Sequence, residues 1–233
     1  MTFSYLITAT NELDPAVRID ATQVKHLAEA IRLTPDLLRA EIYTPADVET
    51  YHRDGAAPLL ALRLEFTSLQ SLEAQITRNG YLYRFFGSSE WTSMPCTRVT
   101  HQAMLTRTFL PLESGEAGEA APDFCSYLVH YPGEAANLND WLGYYLRHHP
   151  QVMTEYPGVR QINVFTRVDW YDDMPWERVG YMQRNMLTFS SAGEMLEAID
   201  SPVRLKMRQD AGSFPAFSGG AVHYPMFTKS ITP

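Results

Sequence analysis

Displaced by 122 positions, the chain meets itself. Ser4-Tyr5-Leu6-Ile7 falls on Ser126-Tyr127-Leu128-Val129, Pro35 on Pro157, and Ile42-Tyr43 on Val164-Phe165. Near the end of each copy, His101, Met104, Thr106 and Arg107 fall on His223, Met226, Thr228 and Lys229. Between these blocks the offset drifts: Phe66-Thr67-Ser68 meets Phe189-Ser190-Ser191 at 123, and Leu72-Glu73-Ala74 meets Leu196-Glu197-Ala198 at 124. Ordered blocks at nearly one offset read as a tandem duplication, and a repeat limits the fold to two copies of one supersecondary unit that bury each other's open faces. The boundaries expected are 1–112 for repeat one, an acidic Gly/Pro-bearing linker over 113–123, and 124–233 for repeat two.

Each repeat reads as strand, helix, strand, strand, helix, strand. In repeat one the strands are Phe3 to Thr8, Leu37 to Tyr43, Leu59 to Phe66 and Val99 to Phe109. The helices are Ala21 to Leu33 and Leu69 to Ile76; Val24, Leu27, Ala28 and Ile31 keep the spacing of one buried helical face. In repeat two, Phe124 to Tyr131 is a strand ended by Pro132-Gly133, and Asn139 or Asp140 caps a helix running to about His149 or beyond. Val159 to Trp170, Val179 to Phe189 and Val222 to Ile231 are strands, and Ser190 or Ser191 caps a helix through Ile199. A βαββαβ unit is ferredoxin-like, with helices on one face of its sheet and the other face bare. The expected fold is therefore α+β: two ferredoxin-like repeats packed sheet to sheet as an intramolecular dimeric α/β barrel, with room for a pocket between layers.

Composition narrows the function. A chain of 233 residues with a formal net charge of −8 and no long basic run is not built to grip a phosphate backbone. No apolar run approaches the roughly 20 residues that span a bilayer, and Met1 to Thr10 lacks the basic start of a signal peptide. Two cysteines, Cys96 and Cys125, make no disulfide scaffold. The expected setting is the cytoplasm, with no nucleic acid or membrane partner. Exposed edge strands would let two chains pair as a homodimer.

Repeat two resembles the EthD-like branch of the dimeric α/β-barrel superfamily. The residues that carry the resemblance are Tyr127-Leu128-Val129 on the first strand, Trp141 in the first helix, His149, and Pro157-Gly158 eight residues later. The family's more usual proline, two residues after its histidine, fits His148 and Pro150 instead. The resemblance implies small proteins and enzymes with relatives among muconolactone-type isomerases, polyketide cyclases, cofactor-free monooxygenases and haem-binding members, so fold alone does not settle the reaction.

His149 is the leading candidate for chemistry. It lies over Leu27 of the other copy, on an apolar stripe with Leu142, Leu146 and Met153. An imidazole there suits general acid–base work at a carbonyl or enol, although a histidine at a helix end also serves as a cap. His130, on the opposite strand face from Tyr127, is the second catalytic candidate. Trp141, Tyr145, Tyr127, His148 and His223 are candidate substrate contacts. Trp141, Tyr145, His130 and His149 have no like residue in repeat one, so one pocket associated with repeat two is expected. His101 and His223 share one repeat position, and Pro225 suggests that His223 lies on an edge strand. There is no HxH, HExxH or CxxC ligand spacing, and neither a metal nor a cofactor is expected.

The function expected is a cofactor-independent enzyme that acts by proton transfer, of isomerase, cyclase or lyase type, on a small aromatic or polyketide-like carbonyl compound. The competing readings are a non-catalytic ligand-binding or pathway-assembly protein and a haem-binding member.

Overall fold

The computed structural model describes residues 1–52, 54–88, 91, 94–111 and 123–233. Nearly all of the linker expected over 113–123 lies outside them. The strands are β1 (Thr2–Thr10), β2 (Leu37–Pro45), β3 (Leu60–Phe66), β4 (Arg98–Phe109), β5 (Asp123–Tyr131), β6 (Gln161–Arg167), β7 (Glu177–Arg178), β8 (Gln183–Phe189) and β9 (Val222–Ile231). The helices are α1 (Ala21–Arg32), α2 (Leu69–Ile76), α3 (Tyr81–Phe86), α4 (Leu138–Met153), α5 (Ala192–Asp200) and α6 (Val203–Ala211). All the long elements expected are present. The short helices α3 and α6 are additional, as is the two-residue β7.

Local chemistry explains the helix starts. Asp20 caps α1 through the backbone amides of Thr22 and Gln23, and Gln23 closes a capping box by reaching back to the Asp20 amide. Leu27, Ala28 and Ile31 form the buried face, as their spacing requires. Ser191 caps α5. Asn137 caps α4, two residues before the earlier of the two caps read from sequence, because its side chain reaches the amides of Asn139 and Asp140. Gly158 supplies the left-handed φ of +71° that turns the chain after Pro157 and into β6.

Eight strands close into an antiparallel barrel in the order β1-β3-β2-β9-β5-β8-β6-β4, with β4 returning to β1 and β7 added beside β4. Each half contributes four consecutive strands, joined to the other half by β2–β9 and β4–β6. The registers of the halves match: Ser4 faces Met104 as Ser126 faces Met226, and Tyr43 faces Thr228 as Phe165 faces Thr106. The drift in offset has a place in this geometry. Tyr5 faces Leu64 and Tyr127 faces Leu187, so the extra residue falls before β8.

One residue from each of the eight strands forms an apolar belt inside the barrel: Leu6, Tyr43, Ala61, Met104, Leu128, Phe165, Met186 and Met226. The outward faces pack under the helices as two larger cores, one per half. Each core is completed from the other half. The connection after β6 crosses to the first core, where Val168, Trp170, Met174 and Trp176 pack; Val48, from the connection after β2, packs against the second. That crossing explains why β6 stops at Arg167 rather than Trp170: the β-rich residues beyond it are packing residues, not ladder residues.

β9 is not an edge strand. It lies between β2 and β5, and the Pro225 carbonyl accepts from the Ala46 amide. All eight barrel strands are paired on both sides, so the closed barrel itself offers no strand edge to a second chain. Among the described residues no helix is long and apolar enough to cross a membrane.

Candidate functional site

His101 and His223 hold the same position on β4 and β9, and both project outward beneath the segment that arrives from the other half. In the first half this position is sealed. Tyr5 Oη lies 2.6 Å from His101 Nδ1, and the imidazole meets Trp170 and Trp176 edge-on at 5.1 and 5.8 Å. Burial holds the Tyr5 phenol well above its usual range, so a neutral hydroxyl meets Nδ1 and leaves Nε2 as the other ring nitrogen. Asp172 Oδ1 is 4.0 Å from that Nε2, and burial pushes the His101 pKa down to about 4.

In the second half the equivalent position is open. Tyr127, the counterpart of Tyr5, stacks near His223 at 5.6 Å. The crossing segment brings His52, whose ring stacks on His223 at 3.6 Å and 16°, and Asp54. Asp54 Oδ2 accepts from the His223 backbone amide at 2.9 Å and lies 2.6 Å from His223 Nδ1. A carboxylate at Nδ1 keeps the proton there and leaves the Nε2 lone pair free, the arrangement of an oriented general base. Burial lowers the His223 pKa, and Asp54 opposes that shift. His52 is lowered to about 4, by burial and then by the neighbouring His223. A cavity of ≈ 580 Å³ opens beside the group, with Arg18, Asp47, His52, Asp54, His223 and Tyr224 in its wall.

The same three side chains are the one set of potential metal ligands among the described residues: donor atoms of His52, Asp54 and His223 lie within 4.8 Å of one another. Two imidazoles and a carboxylate suit a divalent transition metal. Sequence reasoning missed His52 and Asp54. Their only local signal is the His-x-Asp spacing, and the third member lies 169 residues beyond Asp54.

The remaining expected site residues separate in space. Trp141 and Tyr145 are fully buried in the second outer core and stack at 4.9 Å. Tyr145 Oη accepts from Asn185 Nδ2. His149 is 4% exposed, packs on Tyr145 and Phe214, and has its Nδ1 2.6 Å from Asp210 Oδ2 on α6. Burial lowers the His149 pKa, and Asp210 works against it. Tyr144 donates to the other Asp210 oxygen, so this carboxylate ties α4 to α6. His148 is exposed and stacks on Tyr144. His130 points into the barrel at one end, between Tyr181 and Tyr224. Its pKa falls well below the usual value, through burial and then through the nearby Arg184. A second cavity of ≈ 290 Å³ lies at this mouth, lined by Thr8, His130, Tyr181 and Tyr224 among others. It shares Ala57 and Tyr224 with the larger cavity. Of the seven residues singled out, the structure thus brings His223 to one cavity, with the buried Tyr127 packed near it, and His130 to the neighbouring cavity.

No family profile and no curated protein sequence matches the chain. Solved structures match its fold across nearly the whole length. A candidate monooxygenase from Lactobacillus acidophilus NCFM superposes with a TM-score of 0.60 at 8% identity, over 99% of this chain and 96% of that one. An anthrone oxidase-like protein gives 0.58 at 11% identity, over 98% and 92%. A candidate monooxygenase from Fusobacterium nucleatum subsp. nucleatum gives 0.55 at 7% identity, over 99% and 94%. These likenesses show the fold, a dimeric α/β-barrel architecture, for this chain.

Proposed function

We propose that this protein is a small-molecule enzyme that moves a proton at an enolisable carbonyl compound, with His223 as the base and Asp54 as its orienting partner. The observation that carries the reading is the 2.6 Å contact between His223 Nδ1 and Asp54 Oδ2 at the wall of a ≈ 580 Å³ cavity. In this scheme the free Nε2 takes a proton from carbon beside the carbonyl and returns it to a neighbouring carbon or oxygen, which is isomerase, cyclase or lyase chemistry. The His52 ring, stacked on His223 in the cavity wall, offers a flat surface to an aromatic or polyketide-like substrate. The anthrone oxidase-like neighbour, whose name refers to a polycyclic ketone, is in keeping with that substrate class. His149 holds α4 to α6 through Asp210, and Trp141 and Tyr145 support the sheet from behind.

Placement in the EthD-like branch belongs to this proposal and rests on Trp141, His149 and Pro157-Gly158. So does descent by duplication, supported by the matched registers of the two halves. A cytoplasmic setting is in keeping with Cys96 and Cys125 as free thiols.

The test is deuterium exchange at the carbon beside the carbonyl of 2-tetralone, followed by NMR in heavy water. The wild-type protein should accelerate exchange, and Asp54→Asn and His223→Gln should each reduce the acceleration by about 10²–10⁴-fold, the usual contribution of a positioned base. No acceleration, or one that survives both substitutions, overturns the assignment. A second reading follows from the same trio: His52, Asp54 and His223 hold a divalent cation that polarises the carbonyl. It predicts that added Zn²⁺ raises the rate, that a chelator abolishes it, and that His52→Ala is as damaging as His223→Gln.

A further inference from the structure

The barrel encloses two arginines in opposite circumstances. Arg63, on β3, is 1% exposed and neutralised: Nη1 is 3.0 Å from Glu41 and Nη2 is 2.9 Å from Glu65. Arg184, on β8, is 3% exposed, and no carboxylate meets it among the described residues. Its guanidinium lies over the Tyr181 ring at 4.4 Å. Its in-plane donors are left over: Nε and Nη2 are both buried without a hydrogen-bond partner. A charge withdrawn from water without a counter-charge is among the most expensive features a fold can carry.

These two nitrogens are not an arbitrary pair. The Nε–H and Nη2–H bonds lie on the same side of the guanidinium and point in nearly the same direction, forming the fork that grips both oxygens of a carboxylate. The surroundings extend this donor set. His130 faces Arg184 across the β5–β8 ladder, and Thr8 Oγ1 is a further buried oxygen with no partner. Arg184, Thr8 and His130 line one narrow void of ≈ 20 Å³ inside the barrel, together with Leu6, Tyr43 and Phe165. Thr8 and His130 also line the ≈ 290 Å³ cavity at the mouth, so the two spaces meet at these residues. Acidic groups stay at the rim: Glu12 and Asp14 line the mouth, and Glu12 is paired with Arg98.

We infer that the mouth of the barrel is a binding site for a small organic carboxylate, whose carboxyl group enters between Thr8 and His130 to engage the Nε/Nη2 fork of Arg184 while its body occupies the cavity among Tyr181 and Tyr224. The inner void has room for about one water molecule, so the carboxyl group widens the space modestly as it enters. Burial pushes the Arg184 pKa down to about 10, which still leaves a full cation at neutral pH to meet the anion. Arg184 has no counterpart in the first half, where the equivalent β3 residue is Ala61, so there is one such site per chain. The inference does not rest on the His223–Asp54 base: it concerns a different set of donors and is read by binding rather than turnover.

The experiment is titration calorimetry of the intact protein with benzoate and acetate, with benzamide as the uncharged match for benzoate and chloride as a bare anion. Benzoate or acetate should bind, and benzamide should bind at least about tenfold more weakly, because it cannot supply the charge the fork requires. Arg184→Met should abolish carboxylate binding while melting no lower than wild type, since an apolar side chain of similar length replaces an unpaired buried charge. Arg184→Lys keeps the charge without the fork and should bind more weakly than wild type. Thr8→Val should weaken binding without removing it. Absence of binding by both carboxylates would show a water-filled void only and overturn the inference. So would chloride competing as well as benzoate, equal binding of benzamide, or unchanged affinity in Arg184→Met.

Discussion

Removing the imidazole of His101 should change how the protein responds to acid. This ring has no exposure to solvent, and burial sets its pKa near 4, against about 6.5 for an unfolded histidine. The groups facing it are Tyr5 from β1, with Asp172, Arg178, Trp170 and Trp176 from the crossing segment. The folded chain keeps His101 neutral while the unfolded chain protonates it below about pH 6.5, so protons favour unfolding from there until the folded form also protonates near 4. Each pH unit in that window costs about 1.4 kcal/mol, so moving from pH 7 to pH 5 removes roughly 2 kcal/mol through this one residue. His101→Gln keeps an acceptor for Tyr5 but cannot titrate. Urea denaturation of both proteins at pH 7 and pH 5 isolates the effect, because the other buried histidines are common to both and cancel in the difference. Wild type should lose about 2 kcal/mol more than the variant between the two pH values. Parallel losses would mean that His101 is not buried and neutral beneath the two tryptophans, and the account of the sealed first half would fail.

Two further outcomes separate core from site. Trp141→Ala should cost about 3–5 kcal/mol in denaturant titration, because the ring is fully enclosed and the space it leaves has no means of closing; a loss below about 1 kcal/mol would show instead that it lines an open pocket. Arg63→Met should cost about 3–5 kcal/mol by the same measure, since it leaves the buried Glu41 without a cation while Glu65 keeps Arg39, in contrast to Arg184→Met.

Much of the fold was legible from the residues in order, because the signals involved are short-ranged. The α1 stripe, the Ser191 cap and the alternation of Ser126, Leu128 and His130 act within a few residues of themselves. The offset of 122 carried each reading from one half to the other, and the β1–β4 and β5–β9 registers repeat it. Local reading failed where a residue's role depends on what packs upon it. Pro225 is a fair sign of an edge strand until β2 arrives to cover it. Trp170 reads as strand until the chain carries it across to the other half's core.

The candidate site lay further from view. His149 was singled out as a histidine where the other copy has leucine, and that asymmetry is present in the structure, but Asp210 on an unforeseen helix meets it. His52 and Asp54 sit in a connection with no periodic pattern to mark them. What the sequence by itself determined is the unit: a βαββαβ pattern met in each half of the chain, with an apolar face in need of cover, since hydrophobic spacing and capping are properties of neighbours along the chain. Which histidine is sealed beneath tryptophans, which meets a carboxylate at an open cavity, and which arginine is left unpaired were decided only in three dimensions. Burial and charge pairing arise between residues such as Asp54 and His223, 169 positions apart, and only the closing of the barrel brings them together.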